Sequence, residues 1–446
     1  MKPGQRARGV YGLALGLTVS LLLTATAVLL GACDLSPTAV TPSPQAATDT
    51  PPAQPTAPVT SAPEATPGPS IITLTVWTTE AFSPTQAITS GQVLAQEVAR
   101  FEEAHPEVRL HFVLKKPYGK GGILDYLLTT GAVVPGLLPD LAILDVAELG
   151  AAVQAEVVQP LDDLLPNDLV TDLYPAMREA CTFEGRLYGL QYQADLEHLV
   201  YNTGRMTVPP SSWPGVLSNP GPYLFPAGGQ SGLVNDAFLI QYLAVQPPQA
   251  GGAEGEFVLD QDSLAAVLQY YLDGKARGVF PPDILNYHTT DACWSDYVAG
   301  QAALTHVSAH RYLQERSGLQ SSAPAPIPAI NGPAAAINQG WVLTLVTSDP
   351  ARQSAAVGFM LQLLSPEVNA AWNRAASYLP TRQAALALWD QEDSYVPFVQ
   401  QQLLAATRRP LVANYAQVAL QEAVESVLSG AATPEEAAAR AVESAQ

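Results

Sequence analysis

Trp77, Glu80 and Asp145 are the first residues whose types and places could do chemistry, since each follows a stretch that reads as a β-strand. An indole offers a flat apolar face and a carboxylate accepts hydrogen bonds, a combination that could hold a small ligand at a cleft. The same residues would serve equally as core packing or as solvated ion pairs. Catalytic patterns fail on spacing. Gly228-Gly229-Gln230-Ser231-Gly232 lacks the glycine two residues after the serine that a nucleophile elbow needs. Gly119-Lys120-Gly121-Gly122 has neither the spacing nor the Ser/Thr of a phosphate-binding loop. His306 and His310 would sit about 13 Å apart on a strand, too far to share a metal. Tyr270-Tyr271 falls inside an apolar helical pattern from Leu264 to Leu272, where adjacent side chains diverge by about 100°. No two carboxylates have a spacing that defines a glycosidase pair. These patterns predict no cofactor, no metal and no catalytic centre.

The elements that would position the candidates alternate. Ile71 to Trp77 is a β-branched run. Leu94, Val98 and Phe101 then mark one face of a helix over Gly91 to Ala104, which His105-Pro106 closes. Val108 to Leu114 reads as a second strand, Ile123 to Thr129 as a helix and Leu141 to Leu144 as a third strand. Such alternation predicts an α/β fold with a largely parallel sheet, whose ligands sit beyond the carboxyl ends of strands. Near the other end, Thr433-Pro434-Glu435-Glu436 has the layout of a capping box, and Gly430 stands where a helix must end.

Composition narrows the class. Among 446 residues, 41 acidic side chains outweigh 21 basic ones for a net charge of −20, which argues against any grip on a nucleic-acid backbone. Lys2, Arg6 and Arg8 precede an uncharged apolar stretch from Val10 to Leu30, the layout of a secretory signal, though a stretch of that length could also span a bilayer. It ends in Leu30-Gly31-Ala32-Cys33, which resembles the lipobox of bacterial lipoproteins, with Cys33 as the lipidated residue. Residues 34–70 are rich in Pro, Thr and Ala and read as a semi-rigid tether. Signal and tether charges cancel, so the folded part carries the whole −20, which disfavours an anionic ligand. Cys181 and Cys293 remain as an even pair in an oxidising compartment, either bridged or buried as thiols.

The residues from 71 onward resemble the sugar-binding type of extracellular solute-binding proteins of ABC importers, which includes maltose-binding protein. The resemblance rests on an ordered series: Leu74-Thr75-Val76-Trp77, Phe101 to Pro106 ("F-x-x-x-H-P"), Pro139-Asp140-Leu141, and Val158-Gln159-Pro160-Leu161-Asp162. Gly185-Arg186-Leu187-Tyr188-Gly189-Leu190 through Tyr201-Asn202, Pro210-Ser211-Ser212-Trp213, Tyr297 to Leu304, Gly340-Trp341-Val342-Leu343 and Leu379-Pro380-Thr381-Arg382 continue it. Two positions depart: Gln191 stands where the family has Pro, and Gln339-Gly340 where it has Gly-Gly.

The resemblance implies a two-lobed periplasmic-binding-protein fold with a hinge. One lobe would comprise 71–193 plus 308–363 and the other 194–307 plus 364–446. It adds Tyr192, Asp195, His310, Trp341 and Tyr415 to Trp77, Glu80 and Asp145 as ligand contacts. It implies an exported, lipid-anchored monomer that hands a mono- or oligosaccharide to the transmembrane subunits of an ABC permease. The alternatives are a surface-tethered glycan-processing enzyme, or a receptor for glycerol phosphate, peptide, polyamine or metal.

Overall fold

The computed structural model describes residues 71–219, 221–246 and 257–445. Cys33, the signal and the tether lie outside the described residues. The first strands and helices fall where periodicity places them: β1 (Ile72–Thr78), α1 (Thr89–Ala104), β2 (Val108–Leu114), α2 (Ile123–Val133) and β3 (Leu141–Asp145), after which comes a further helix, α3 (Leu149–Gln154). β1 runs parallel to both β2 and β3, and Ile337–Leu345 returns antiparallel beside β3, with Trp341 opposite Asp145. Leu190–Asp195 pairs with the other edge of Ile337–Leu345 and Thr407–Arg408 with its start, completing a six-stranded sheet. A second sheet orders Ser322–Ala325, Glu197–Asn202, Leu304–Ser308 and Tyr223–Leu224.

Each sheet is packed by its own helices around its own core, as two-layer α/β units require. The first core gathers Leu74, Phe101, Leu144, Leu343 and Trp372; the second gathers Leu199, Phe238, Tyr271, Trp294 and Leu420. Tyr270 and Tyr271 are both buried there, so neither reaches the surface. The capping box at Thr433 is formed, and Gly430 closes the preceding helix at φ 81.

The expected return of the chain at residue 308 is corrected. Ser322–Ala325 extends the second sheet by pairing with Glu197–Asn202, and Tyr312, Ile327 and Ala336 pack into the second core. Residues 308–336 therefore belong to the second lobe, and the chain re-enters the first along Ile337–Leu345. The last crossing also falls later than residue 364, because Leu364, Val368 and Trp372 pack in the first core and Leu379 in the second.

The cysteines are free and sit in different cores, Cys181 in the first and Cys293 in the second, which excludes the bridge. Burial pushes the Cys181 thiol up to about 12, so both behave as small apolar side chains. Among the described residues no helix is long and apolar enough to cross a membrane.

Candidate ligand-binding site

The carboxyl end of the first sheet carries one wall of a cleft. Asp145 ends β3, where its Oδ1 accepts from the Ala147 amide at 2.8 Å and its Oδ2 accepts from the Tyr118 hydroxyl at 2.6 Å. Tyr118 reaches it from the glycine-rich loop after β2, and its ring lies 5.6 Å from that of Trp341. Phe82 backs Trp341 at 5.4 Å, leaving the indole half-buried. Glu148 follows in the turn before α3. Desolvation, then the neighbouring Asp145, pushes its carboxyl up to about 7. Desolvation raises Asp145 too, against the pull of the Tyr118 and Ala147 hydrogen bonds and of Arg409. Two buried acceptors here have no hydrogen-bond partner, Glu148 Oε2 and Gln193 Oε1. Such groups cost about 1–3 kcal/mol unless something donates to them.

A second group of polar side chains stands on the segment that follows Thr407–Arg408. A cavity of about 660 Å³ lies between α3, lined by Ala147, Gly150 and Gln154, and a rim of Arg408, Asn414 and Gln417. Arg409 on the same rim donates from Nε to Asp236 at 2.8 Å, and Gln339 Nε2 donates to the other Asp236 oxygen at 2.7 Å. Asp236 opens the helix Asp236–Val245 of the second lobe, so the pair fixes the rim to that lobe. Arg408 makes no ion pair among the described residues. Guanidinium and amide planes of this kind match hydroxyl groups, which both donate and accept.

Asp195 and His310 meet at the base, where the chain passes between lobes. Asp195 Oδ1 accepts from the amides of Leu196 at 2.9 Å and His310 at 3.0 Å, while desolvation pushes its carboxyl up to about 7. The His310 ring stacks on Tyr378 at 3.9 Å, and its Nδ1 donates to Ser377 O. His306 stands apart, bonded to Glu197 and Tyr223, and among the described residues no cluster could hold a metal.

Of the eight sequence candidates, the structure joins Asp145 to Trp341 through Tyr118, and Asp195 to His310 through its backbone amide. Trp77 is a core residue, only 6% exposed, with its ring edge on Tyr126 and the Lys115 ammonium 4.7 Å from its centroid. Tyr192 is buried between Trp372 and Phe82. Glu80 is exposed in the first turn of a short helix, and Tyr415 is 60% exposed while its neighbours Asn414 and Gln417 line the cavity. Sequence reasoning missed Tyr118, Glu148, Gln193, Asp236 and Arg409. Tyr118 and Glu148 follow strand ends and were open to the same rule that found Asp145.

Residues 98–397, more than half of the chain, match the family described as bacterial extracellular solute-binding protein. The chain belongs to that family. A maltotriose-binding protein of Pyrococcus abyssi is 29% identical to this solute-binding protein over 82 residues, a match spanning 18% of each chain. Solved structures share the fold. The sugar-binding protein MalE of Xanthomonas citri superposes with TM-score 0.68 at 17% identity, covering 84% of this chain and 96% of that one. The cyclic α-maltosyl-1,6-maltose binding protein of Arthrobacter globiformis gives 0.66 at 19% over 84% and 98%. The maltotriose-binding protein of Thermus thermophilus, solved with maltotriose, gives 0.61 at 18% over 83% and 98%. These likenesses bear out the two-lobed α/β fold.

Proposed function

We propose that this solute-binding protein captures an oligosaccharide between its two lobes and presents it to an ABC permease. The observation that carries this reading is the Tyr118–Trp341 aromatic pair held beside the Asp145 carboxylate at the strand ends of the first lobe, with the acceptors Glu148 and Gln193 next to it. Glu148 stands beside Asp145 and Gln193 is paired with Trp341 across the strands, so both belong to the wall that presents the indole. Sugar hydroxyls donate to such acceptors while the ring's apolar face lies on Trp341 or Tyr118. The amides of the facing rim, Asn414 and Gln417, then complete the contacts from the second lobe. Relatives whose names record maltose, maltotriose or mannotriose support the ligand class.

The receptor acts from outside the cytoplasmic membrane, held by a lipid on Cys33 and spaced from it by residues 34–70, and works as a monomer. Closure on the ligand shifts a population between open and closed forms, and the closed form is what the permease reads.

A thermal-shift screen over malto- and manno-oligosaccharides, peptides and polyamines tests the assignment. Saturable stabilisation by one oligosaccharide class is expected, growing with ligand concentration. Stabilisation by a peptide or polyamine alone, or sugar turnover without stabilisation, contradicts it. Incorporation of labelled fatty acid, lost in Cys33→Ala, tests the anchor.

A further inference from the structure

Gln191 and Gln339, the two departures from the family pattern, come together at the crossing between lobes. Gln191 and Asn338 exchange reciprocal side-chain hydrogen bonds: Gln191 Nε2 donates to Asn338 Oδ1 at 3.0 Å, and Asn338 Nδ2 donates back to Gln191 Oε1 at 2.8 Å. The same Nε2 lies 3.0 Å from the backbone oxygens of Gln193 and Gln339. Both side chains are buried, at 0% and 1% exposure. The amides thus join two strands at the points where each leaves one core for the other. Tyr192 packs in the first core and Ala194 in the second, while Ile337 packs in the second and Val342 in the first.

The backbone is shaped around this pair. The register between the strands slips at Trp341/Val342, with Trp341 opposite Gln193 but Val342 opposite Gln191, so Tyr192 is the extra residue of a bulge. Gly340 holds φ 151, and a Cβ there would meet Gln193 O at 2.2 Å and Gln191 Nε2 at 2.4 Å. Only glycine lets the amide approach that closely. Trp341, the indole of the cleft wall, is the next residue, and Asn338 itself lines the cavity.

We propose that the Gln191–Asn338 amide pair is a latch that keeps the two crossing strands in one register, so that the lobes close by bending this ribbon as a unit, with Trp341 held at the cleft. Gln191 and Asn338 are positioning residues, acting on the ligand through Trp341 and through the fraction of molecules able to close. The proposal rests on ligand capture in the cleft for its affinity arm alone.

The test uses the folded chain with Gln191→Met, Asn338→Leu and the double variant. Hydrogen exchange read by mass spectrometry, without ligand, should show the amides of Leu190–Asp195 and Ile337–Leu345 exchanging faster in each single variant. The double variant should be no worse than the worse single one, because neither amide is left facing an apolar neighbour. Binding of the best oligosaccharide should weaken about tenfold in the single variants, as expected when the competent fraction falls to about a tenth. Leu264→Ala, a truncation in the second core, should lower the melting temperature and leave affinity unchanged, which separates positioning from general stability. If either substitution prevents folding, Asn338→Asp, which keeps an acceptor and loses the return donor, takes its place. Unchanged exchange at both strands, or affinities within twofold of wild type, would overturn the latch. If wild type binds no saccharide, the function proposed above fails while exchange still decides the latch.

Discussion

The strand ends of the first sheet present Tyr118 and Trp341 with the carboxyls of Asp145 and Glu148, whereas the rim of the cavity against α3 presents Arg408, Asn414 and Gln417. One side stacks and accepts; the other mainly donates. The difference follows from how each is made. Strand ends of a buried sheet bring half-buried aromatics and desolvated acids, while the rim runs from the short strand Thr407–Arg408 into the first turn of the helix Asn414–Ser429, where Gln417 is buried and donates to Val412 O. A hydroxylated ring satisfies both at once and either wall alone only in part. Binding therefore depends on the walls coming together, which ties affinity to the hinge.

Removing the stacking face should have the largest effect. Trp341→Ala should cost about 2 kcal/mol of binding, roughly thirtyfold in affinity by calorimetry, and Trp341→Phe clearly less. An equal loss in Tyr415→Ala would show that the stacking wall has been misplaced. On the opposite side, Arg409→Leu strips Asp236 of its guanidinium partner. With that carboxylate 9% exposed and the arginine 28% exposed, the cost should be about 1.5 kcal/mol in chemical denaturation, together with weaker binding because the rim loses its tie to the second lobe.

A smaller effect is a pH dependence peculiar to the acceptor side. Asp195 and Glu148 both have carboxyls raised to about 7, by desolvation first, from ordinary values of 3.8 and 4.5. Between roughly pH 4 and 7 the folded state holds more protons than the unfolded one, so stability falls as pH rises through that window. The unliganded melting temperature should decline from pH 5 to 8, and Asp195→Asn should flatten part of the slope. A rising profile in that window would break the assignment of these acids as desolvated. Smallest of all, a reductant should leave the melting temperature unchanged, because Cys181 and Cys293 lie as thiols in separate cores.

Much of the first lobe was legible in the sequence. The strands and helices over 72–145 obey simple periodicities, and Asp145 follows from the rule that sheets bind beyond their carboxyl ends. The family motifs pointed to Trp341, Asp195 and His310, which the structure sets beside Tyr118, at the Leu196 amide and on the Tyr378 ring. The rest depended on pairings between distant residues that no local pattern encodes. Ser322–Ala325, with a proline inside it, gives no strand pattern of its own, yet it is an edge of the second sheet, and this moved the lobe boundary from 308 to 337. Trp77 illustrates the opposite error, since a strand-end aromatic is covered here by Lys115 and Tyr126. The Gln191–Asn338 pair was visible only as one departure from a pattern, Gln191, whose partner appears once the strands are side by side, while the side chain of Gln339 turns to Asp236.

The most direct test of the account is calorimetric titration of the mature protein with malto- and manno-oligosaccharides, read alongside small-angle scattering. One-to-one saturable binding of an oligosaccharide, with a smaller radius of gyration in the complex, is the predicted result. Folded protein that gives no saturable heat with any member of either series, or that contracts only with a peptide or polyamine, would contradict it.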